Sequence, residues 1–413
     1  MKLAHVIELK PTIKQRNAFS RSVGVARFTF NWALAEWNRQ HKEGQKPSAN
    51  GLKKKFNGLK ETAFPWIYKS PRDANSQPFA DLNTAFRNFF SSLKGDRKGR
   101  KVGRPRFKKK GRKDSFYVAN DKFHFHKDEK RVYLPLIGSV KIKERLRFAG
   151  KILSGRVKRV ADRWYLSVQV DVDVEKTRPR TTPIRPIIGV DLGIKTAVVP
   201  SQGEPRSAPK PLKEALVQLR RSNRALHRRK RGSRNRHKAQ LRVAKIHQRI
   251  ASVRKDFLHK ITTQLCRENQ AVVIEDLNVA GMVRNHKLSR ALSDVGLGVF
   301  KPMMLYKAEK FGCEIIVADR WFPSSKRCHG CGSVKDVLSL GERKYICDKC
   351  GLVEDRDKNA ALNLEQYPRL EGNWDREIRT LGDDRVSTRS AKGLRANKID
   401  EPRTKPCTHV STP

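Results

Sequence analysis

The sequence predicts a multidomain α+β protein, on three observations. Apolar residues recur at three- and four-residue spacing near the N-terminus, then at alternate positions in short runs between 115 and 174. From Ile187 onward, short fully apolar runs alternate with long helical stretches. Two Cys-x2-Cys pairs sit inside that second half, where their spacing marks a zinc ribbon.

Each element follows from its local pattern. Residues 2 to 9 read as a short strand. Pro11 to Gln40 reads as a helix, with Phe19, Val23, Ala26, Phe30, Ala33 and Trp37 on one face. A second helix runs from about Phe79 to Leu93, with Leu82, Phe86, Phe89 and Phe90 along its stripe. Between them lies a looser basic segment holding Lys53-Lys54-Lys55. Lys94 to Lys113 is dense in Lys, Arg and Gly, and its Gly and Pro argue against regular structure. Residues 115 to 174 read as β: Val132 to Ile142 alternates around Pro135 and Gly138, and Val157–Val160 with Trp164–Val172 forms a hairpin turning at Ala161-Asp-Arg163. These short strands suggest a small barrel or sandwich. Arg178 to Pro186, rich in Pro, Thr and Arg, reads as a linker between two lobes.

In the second lobe, Ile187 to Val190 is a buried strand ending at Asp191, with Ala197 to Val199 as its neighbour. Leu212 to Asn269 reads as a helical hairpin broken near Gly232-Ser233, one arm striped by Ile246, Ile250, Val253, Phe257, Ile261 and Leu265. Its opposite face is almost all Arg, Lys and His. Ala271 to Ile274 is a further strand, ending at Glu275. A helix around Phe300 to Lys310 and a strand from Glu314 to Ala318 follow. The polar tail after about Leu370 is expected to be mobile.

Composition narrows the partners. Among 413 residues, Lys plus Arg number 91 and Asp plus Glu 41, a formal charge of +50 spread over most of the chain. Self-repulsion on that scale calls for a polyanion, and nucleic acid is the one that Lys and Arg bind with counterion release. A ribosomal protein and a membrane-surface binder are the plainer alternatives. No apolar run long enough to span a bilayer and no secretory signal is visible, so a bacterial cytosolic, nucleoid-associated site is expected. Seven Cys, four of them clustered, suit metal binding in a reducing compartment.

Cys328-His-Gly-Cys331 and Cys347-Asp-Lys-Cys350 are separated by fifteen residues, and each is followed by glycine, Gly332 and Gly351. Two such turns surround one tetrahedral Zn²⁺ with four thiolates and leave no open position, so the site is structural. His329 lies between two ligands but is not needed. Cys266 and Cys313 read as buried hydrophobes.

Three acids share another context. Asp191 and Glu275 end apolar strands, and Asp357 precedes Asn359-Ala-Ala-Leu-Asn-Leu364, a helix start. Strand ends place side chains at one rim of a sheet. Three carboxylates converging there repel unless Mg²⁺ neutralises them, and two such ions activate water and stabilise a leaving 3′ oxygen. Singly, each has a plainer reading: Asp191 a turn, Glu275 an Arg partner, Asp357 a helix N-cap.

Gly189-Val-Asp-Leu-Gly-Ile-Lys195, Ile274-Glu-Asp-Leu277, the paired Cys-x2-Cys-Gly and Asp355-Arg-Asp-Lys-Asn-Ala-Ala361 stand in the order seen in the TnpB family, encoded by bacterial insertion sequences. Phe322-Pro-Ser-Ser325 and Gly103-Arg-Pro-Arg-Phe-Lys108 also resemble family hallmarks. The resemblance covers about residues 1 to 400 and is most specific over 187 to 364. It implies an RNase H-like, RuvC-type α/β core (187–325 and 353–370) with an inserted zinc ribbon (326–352). It further implies a β-barrel wedge domain (1–10 and 114–180) and a helical recognition insertion with a basic connection (11–113), before the tail at 371–413. Asp191, Glu275 and Asp357 correspond to the three magnesium-binding acids, and Asp355 does not. Adjacent strand residues face opposite ways, which also sets Asp276 apart from Glu275.

The function so implied is an RNA-guided DNA endonuclease with two Mg²⁺ and one Zn²⁺, a guide RNA from the transposon end and double-stranded target DNA. A strand-transfer transposase uses the same acids, and a nuclease-independent RNA-guided repressor needs none of them. Candidate nucleic-acid contacts are Lys53, Arg72 and Gln77 near the segment expected to read a flanking motif. Arg104, Arg106, Phe107 and Lys108 follow in the basic connection, and Arg228, Arg229 and Lys230 lie at the tip of the basic hairpin.

Overall fold

The computed structural model describes residues 1–97, 99–177, 185–339 and 341–370. The expected tail lies outside these residues, as does nearly all of the expected linker. In the first lobe, β1 (Lys2–Lys10) leads into α1 (Ile13–Lys42), followed by α2 (Ala49–Leu59) and α3 (Arg72–Leu93). Thr12 starts α1 with a capping box: its hydroxyl accepts from the Gln15 backbone while the Gln15 side chain accepts from Thr12 N. The segment with Lys53-Lys54-Lys55 is not loose. It is α2, capped by Ser48, with Leu52 and Phe56 buried one turn apart. α3 begins at Arg72, seven residues ahead of the expected start at Phe79, and carries Pro78 within it.

Six more strands follow: β2 (Ser115–Ala119), β3 (His124–Phe125), β4 (Arg131–Leu134), β5 (Gly138–Ile142), β6 (Lys151–Val160) and β7 (Arg163–Asp171). With β1 they make one antiparallel seven-stranded sheet in the order β2-β6-β7-β1-β5-β4-β3. The β6–β7 hairpin turns at Ala161-Asp162, where Ala161 takes a positive φ of 53°. Helices and sheet share a single core. Phe19 of α1 lies 5.0 Å from the Trp164 ring and 6.1 Å from that of Phe116, so α1 packs directly on β7 and β2.

A short helix, α4 (Val174–Thr177), precedes the second lobe: β8 (Arg185–Asp191), β9 (Val199–Pro200), α5 (Pro211–His227), α6 (Arg234–Glu268), β10 (Asn269–Glu275), α7 (Val279–Arg284), α8 (Ser289–Val295), α9 (Leu297–Phe311), β11 (Glu314–Ala318), β12 (Lys344–Ile346), β13 (Val353–Asp355) and α10 (Arg356–Leu370). The sheet order is β11-β10-β8-β9, parallel except for β9. Strands covered on both faces read as continuous apolar runs, and Ala271 to Ile274 are fully buried. Ile188, Val190, Val272 and Ile274 pack with Leu258, Ile261, Phe300 and Met304 of α6 and α9. Gly189, between Ile188 and Val190, meets α10 on the opposite face.

Candidate active site and metal centre

Parallel pairing sets Val190 beside Ile274, so Asp191 and Glu275 leave the sheet side by side at its C-terminal rim. Asp357, in the first turn of α10, lies near enough for its charge to act on Asp191. Burial, and then the carboxylates of Glu275 and Asp357, push the Asp191 carboxyl up to about 8. A Leu192 backbone N–H and the Arg356 guanidinium oppose that shift without overcoming it. A divalent cation would relieve this repulsion, and an oxygen-only donor set suits Mg²⁺.

Neighbouring acids are occupied elsewhere. Asp355 Oδ1 accepts from the backbone N–H groups of Asp357 (2.9 Å) and Lys358 (3.1 Å), so Asp355 caps α10 and the carboxyl of Asp357 is left to face Asp191. Asp276 is held by Lys301 at 2.9 Å and Arg320 at 2.6 Å, which keep its carboxyl below the usual range. Glu275, Asp276, Asn278, Asp319, Arg320 and Phe322 line a groove at this rim.

The sulfurs of Cys328, Cys331, Cys347 and Cys350 lie within 4.8 Å of one another. Tetrahedral bonds of ~2.3 Å place thiolates about 3.8 Å apart. The observed Cys328–Cys350 and Cys331–Cys347 separations are 3.6 and 3.5 Å. The donor set therefore fits one Zn²⁺. Each knuckle closes through glycine at positive φ, with Gly332 N bonded to Cys328 O and Gly351 N to Cys347 O. Tyr345 is fully buried behind the cluster with Leu338 and Leu352. His329 is not part of it, since its Nδ1 pairs with Asn359 Oδ1 at 3.0 Å. Cys266 and Cys313 are buried, the first on α6 and the second just ahead of β11.

The candidate nucleic-acid contacts are scattered. Arg72 is exposed at the head of α3, and Gln77 one turn on is tied to Asp81. Lys53 is half-buried on α2. The 104–108 segment is laid along α1: Arg104 donates to Asn38, and Asn31 pairs with both N and O of Lys108, whose Nζ sits over the Phe30 ring. Arg106 and Phe107 remain exposed. Arg228, Arg229 and Lys230 are exposed between α5 and α6.

Sequence reasoning missed three participants. Ser324 is buried and donates its hydroxyl hydrogen bond to Glu275 Oε1. Asn359 and Asn363, one turn apart on α10, bind the backbone leading into the first zinc knuckle. Phe322-Pro-Ser-Ser325 held the clue, but a hydroxyl partner distant in sequence leaves no periodic signal.

Comparison with known proteins gives consistent matches. Residues 167–286 match a family profile described as "Probable transposase", OrfB_IS605, and 298–364 match "Cas12f1-like, TNB domain". Residues 1–46 match a helix-turn-helix profile, although here they form β1 and the single helix α1. A Mycobacterium tuberculosis protein named "Putative RNA-guided DNA endonuclease" is 33% identical, over 94% of this chain and 92% of its own. A Streptomyces pristinaespiralis protein of the same name is 34% identical over 88% and 89%. The chain's fold is similar to that of Cas12f1 in its complex with guide RNA and target DNA, at TM-score 0.50 and 15% identity, covering 86% of this chain and 82% of the other.

Proposed function

The chain belongs to the TnpB family of transposon-encoded RNA-guided DNA endonucleases, and we propose that it hydrolyses double-stranded DNA at a two-magnesium, RuvC-type centre made of Asp191, Glu275 and Asp357. The observation that carries this reading is that Asp191 and Glu275 end adjacent parallel strands while Asp357, from α10, is near enough for its charge to act on Asp191, in a chain of charge +50. In this reading the sheet of β8 to β11 with α10 is an RNase H-like core, and 326–352 is its zinc ribbon. The antiparallel sheet is the wedge barrel, and α1 to α3 form the recognition insertion.

A bound magnesium pair would supply the Lewis acidity to acidify an attacking water and offset charge on a leaving 3′ oxygen. The chain's own residues hold and orient. Asp191, Glu275 and Asp357 supply the oxygens. Lys301 and Arg320, balanced by Asp276, place positive charge beside the groove where a phosphodiester would pass. Arg228, Arg229 and Lys230 offer phosphate contacts, while Arg72 and Gln77 stand where a flanking motif could be read. Base pairing with an RNA from the element's own end selects the target, so the protein works on the bacterial nucleoid.

The test is to sequence the RNA that copurifies after expression with native flanking DNA. A plasmid matching it is then incubated with Mg²⁺. Cut ends bearing 3′ hydroxyls are expected. Joined strands would identify a transposase, and retained but uncut plasmid a repressor.

A further inference from the structure

The geometry points to Ser324 as a positioning residue for Glu275, held in place by the helix that also carries Asp357. This rests on the proposed acid triad. Ser324 lies in the loop between β11 and the first zinc knuckle and is 4% exposed. Its Oγ–H donates to Glu275 Oε1. Among the described residues no donor reaches the other Glu275 oxygen, Oε2, which leaves that oxygen free for a cation. A carboxylate fixed through one oxygen presents the other in a single orientation.

The hydroxyl is itself fixed from α10. Asn363 Nδ2 donates to Ser324 O at 2.8 Å and to Arg327 O at 2.6 Å. One turn earlier, Asn359 Nδ2 donates to Arg327 O at 2.7 Å, and its Oδ1 accepts from His329 N at 3.1 Å. Both asparagines are fully buried. Arg327 and His329 flank Cys328. One helix therefore sets the third acid directly and the second acid through Ser324, and the same two asparagines grip the first zinc knuckle. A serine without periodicity and two asparagines inside a helix, where asparagine is a poor former, acquire a common purpose.

Ferrous ion tests this in the full chain with its copurified RNA. Bound at a magnesium site, with ascorbate and peroxide, it cuts nearby polypeptide, so fragments ending near 191, 275 and 357 report occupancy without DNA cleavage. In Ser324→Ala the Fe²⁺ giving half-maximal fragmentation, and the Mg²⁺ giving half-maximal DNA cutting, should each rise about tenfold. Saturating Mg²⁺ should restore much of the rate. Ser324→Thr, which keeps a hydroxyl, should lie closer to the parent than Ser324→Ala does. Glu275→Ala should lose the fragments. If Glu275→Ala retains them, the acid triad itself is wrong. If Glu275→Ala loses them while Ser324→Ala matches the parent in both titrations, the positioning role is overturned. A Ser324→Ala protein that has lost its zinc overturns it as well, because the hydroxyl would then be holding the loop and not the carboxylate.

Discussion

Gly189 lies so close beneath α10 that a Cβ on it would stand 2.0 Å from the carbonyl oxygen of Ala361. The Glu365 backbone nitrogen would be 2.4 Å away. Neither neighbour is a flexible side chain, so any added atom must push the helix off the strand. Gly189 is two residues from Asp191, and Ala361 is one turn from Asp357. The absence of a side chain at 189 thus sets the spacing between two of the three acids.

Gly189→Ala should therefore act on stability and chemistry together. We expect a loss of about 1–3 kcal/mol from overpacking and DNA cleavage reduced beyond what the lost folded fraction explains. Urea unfolding followed alongside cleavage of a matched plasmid measures both. A variant with parental stability and rate would show that the helix yields easily.

Asp191→Ala, Glu275→Ala and Asp357→Ala should each abolish cleavage and leave guided DNA binding intact, because binding rests on base pairing and on Lys and Arg contacts elsewhere. Asp355→Ala is the control. It removes the cap of α10, costing about 1 kcal/mol, and should keep measurable cutting. A gel shift beside the plasmid assay separates the outcomes. Normal cutting by Asp357→Ala with none by Asp355→Ala would reverse the assignment of the third ligand.

Cys347→Ser combined with Cys350→Ser should reduce zinc from about one ion per chain to about none. Cleavage should fall because the first knuckle anchors the Ser324 loop, while the antiparallel sheet and its helices stay folded. Metal analysis with limited proteolysis checks this. Unchanged zinc content would remove the cluster from consideration.

Glu36 provides a pH test far from the metal sites. Hydrogen bonds from Arg39, then those from Lys55 and Gln40, hold its carboxyl at about 2, against an ordinary 4.5, and the Lys55 bond ties α1 to α2. The folded value is depressed. The contribution is therefore fully present above pH 4.5 and is lost as pH falls towards 2. Arg39 and Lys55 are about half exposed, so screening limits the effect to roughly 0.5–1 kcal/mol. Glu36→Gln should be less stable than the parent by that amount at pH 7 and converge with it near pH 2. A difference that persists at pH 2 would mean that shape, not charge, is what Glu36 supplies.

Replacing Arg228, Arg229 and Lys230 together by Gln should weaken RNA binding and flatten its salt dependence by up to about one unit of log–log slope for each phosphate no longer neutralised. All three are exposed at the tip between α5 and α6, so folding should be unaffected. An unchanged slope in filter binding across a salt series would place the phosphate-binding residues elsewhere.

What the sequence determined by itself is what short-range chemistry encodes. The cysteine spacing with its two glycines describes its own turns, and the structure brings those four sulfurs together. The apolar runs ending at Asp191 and Glu275 announce buried strands, because both faces of a covered parallel sheet must be apolar. The hairpin of α5 and α6 is equally plain from its stripe. α2 was legible too, through Ser48, Leu52 and Phe56, but its three lysines obscured that signal. Only the tertiary structure decided the rest. Parallel pairing of β8 with β10 sets Asp191 beside Glu275 across more than eighty residues. Capping by Asp355 separates it from Asp357, and ion pairs with Lys301 and Arg320 take up Asp276. Ser324 reaches Glu275, and Asn363 reaches Ser324, through hydrogen bonds spanning 49 and 39 positions. The physical reason is one of range. Periodicity and turn chemistry act over a few neighbouring residues, whereas a carboxylate's partners are chosen by which strands and helices come to lie against each other.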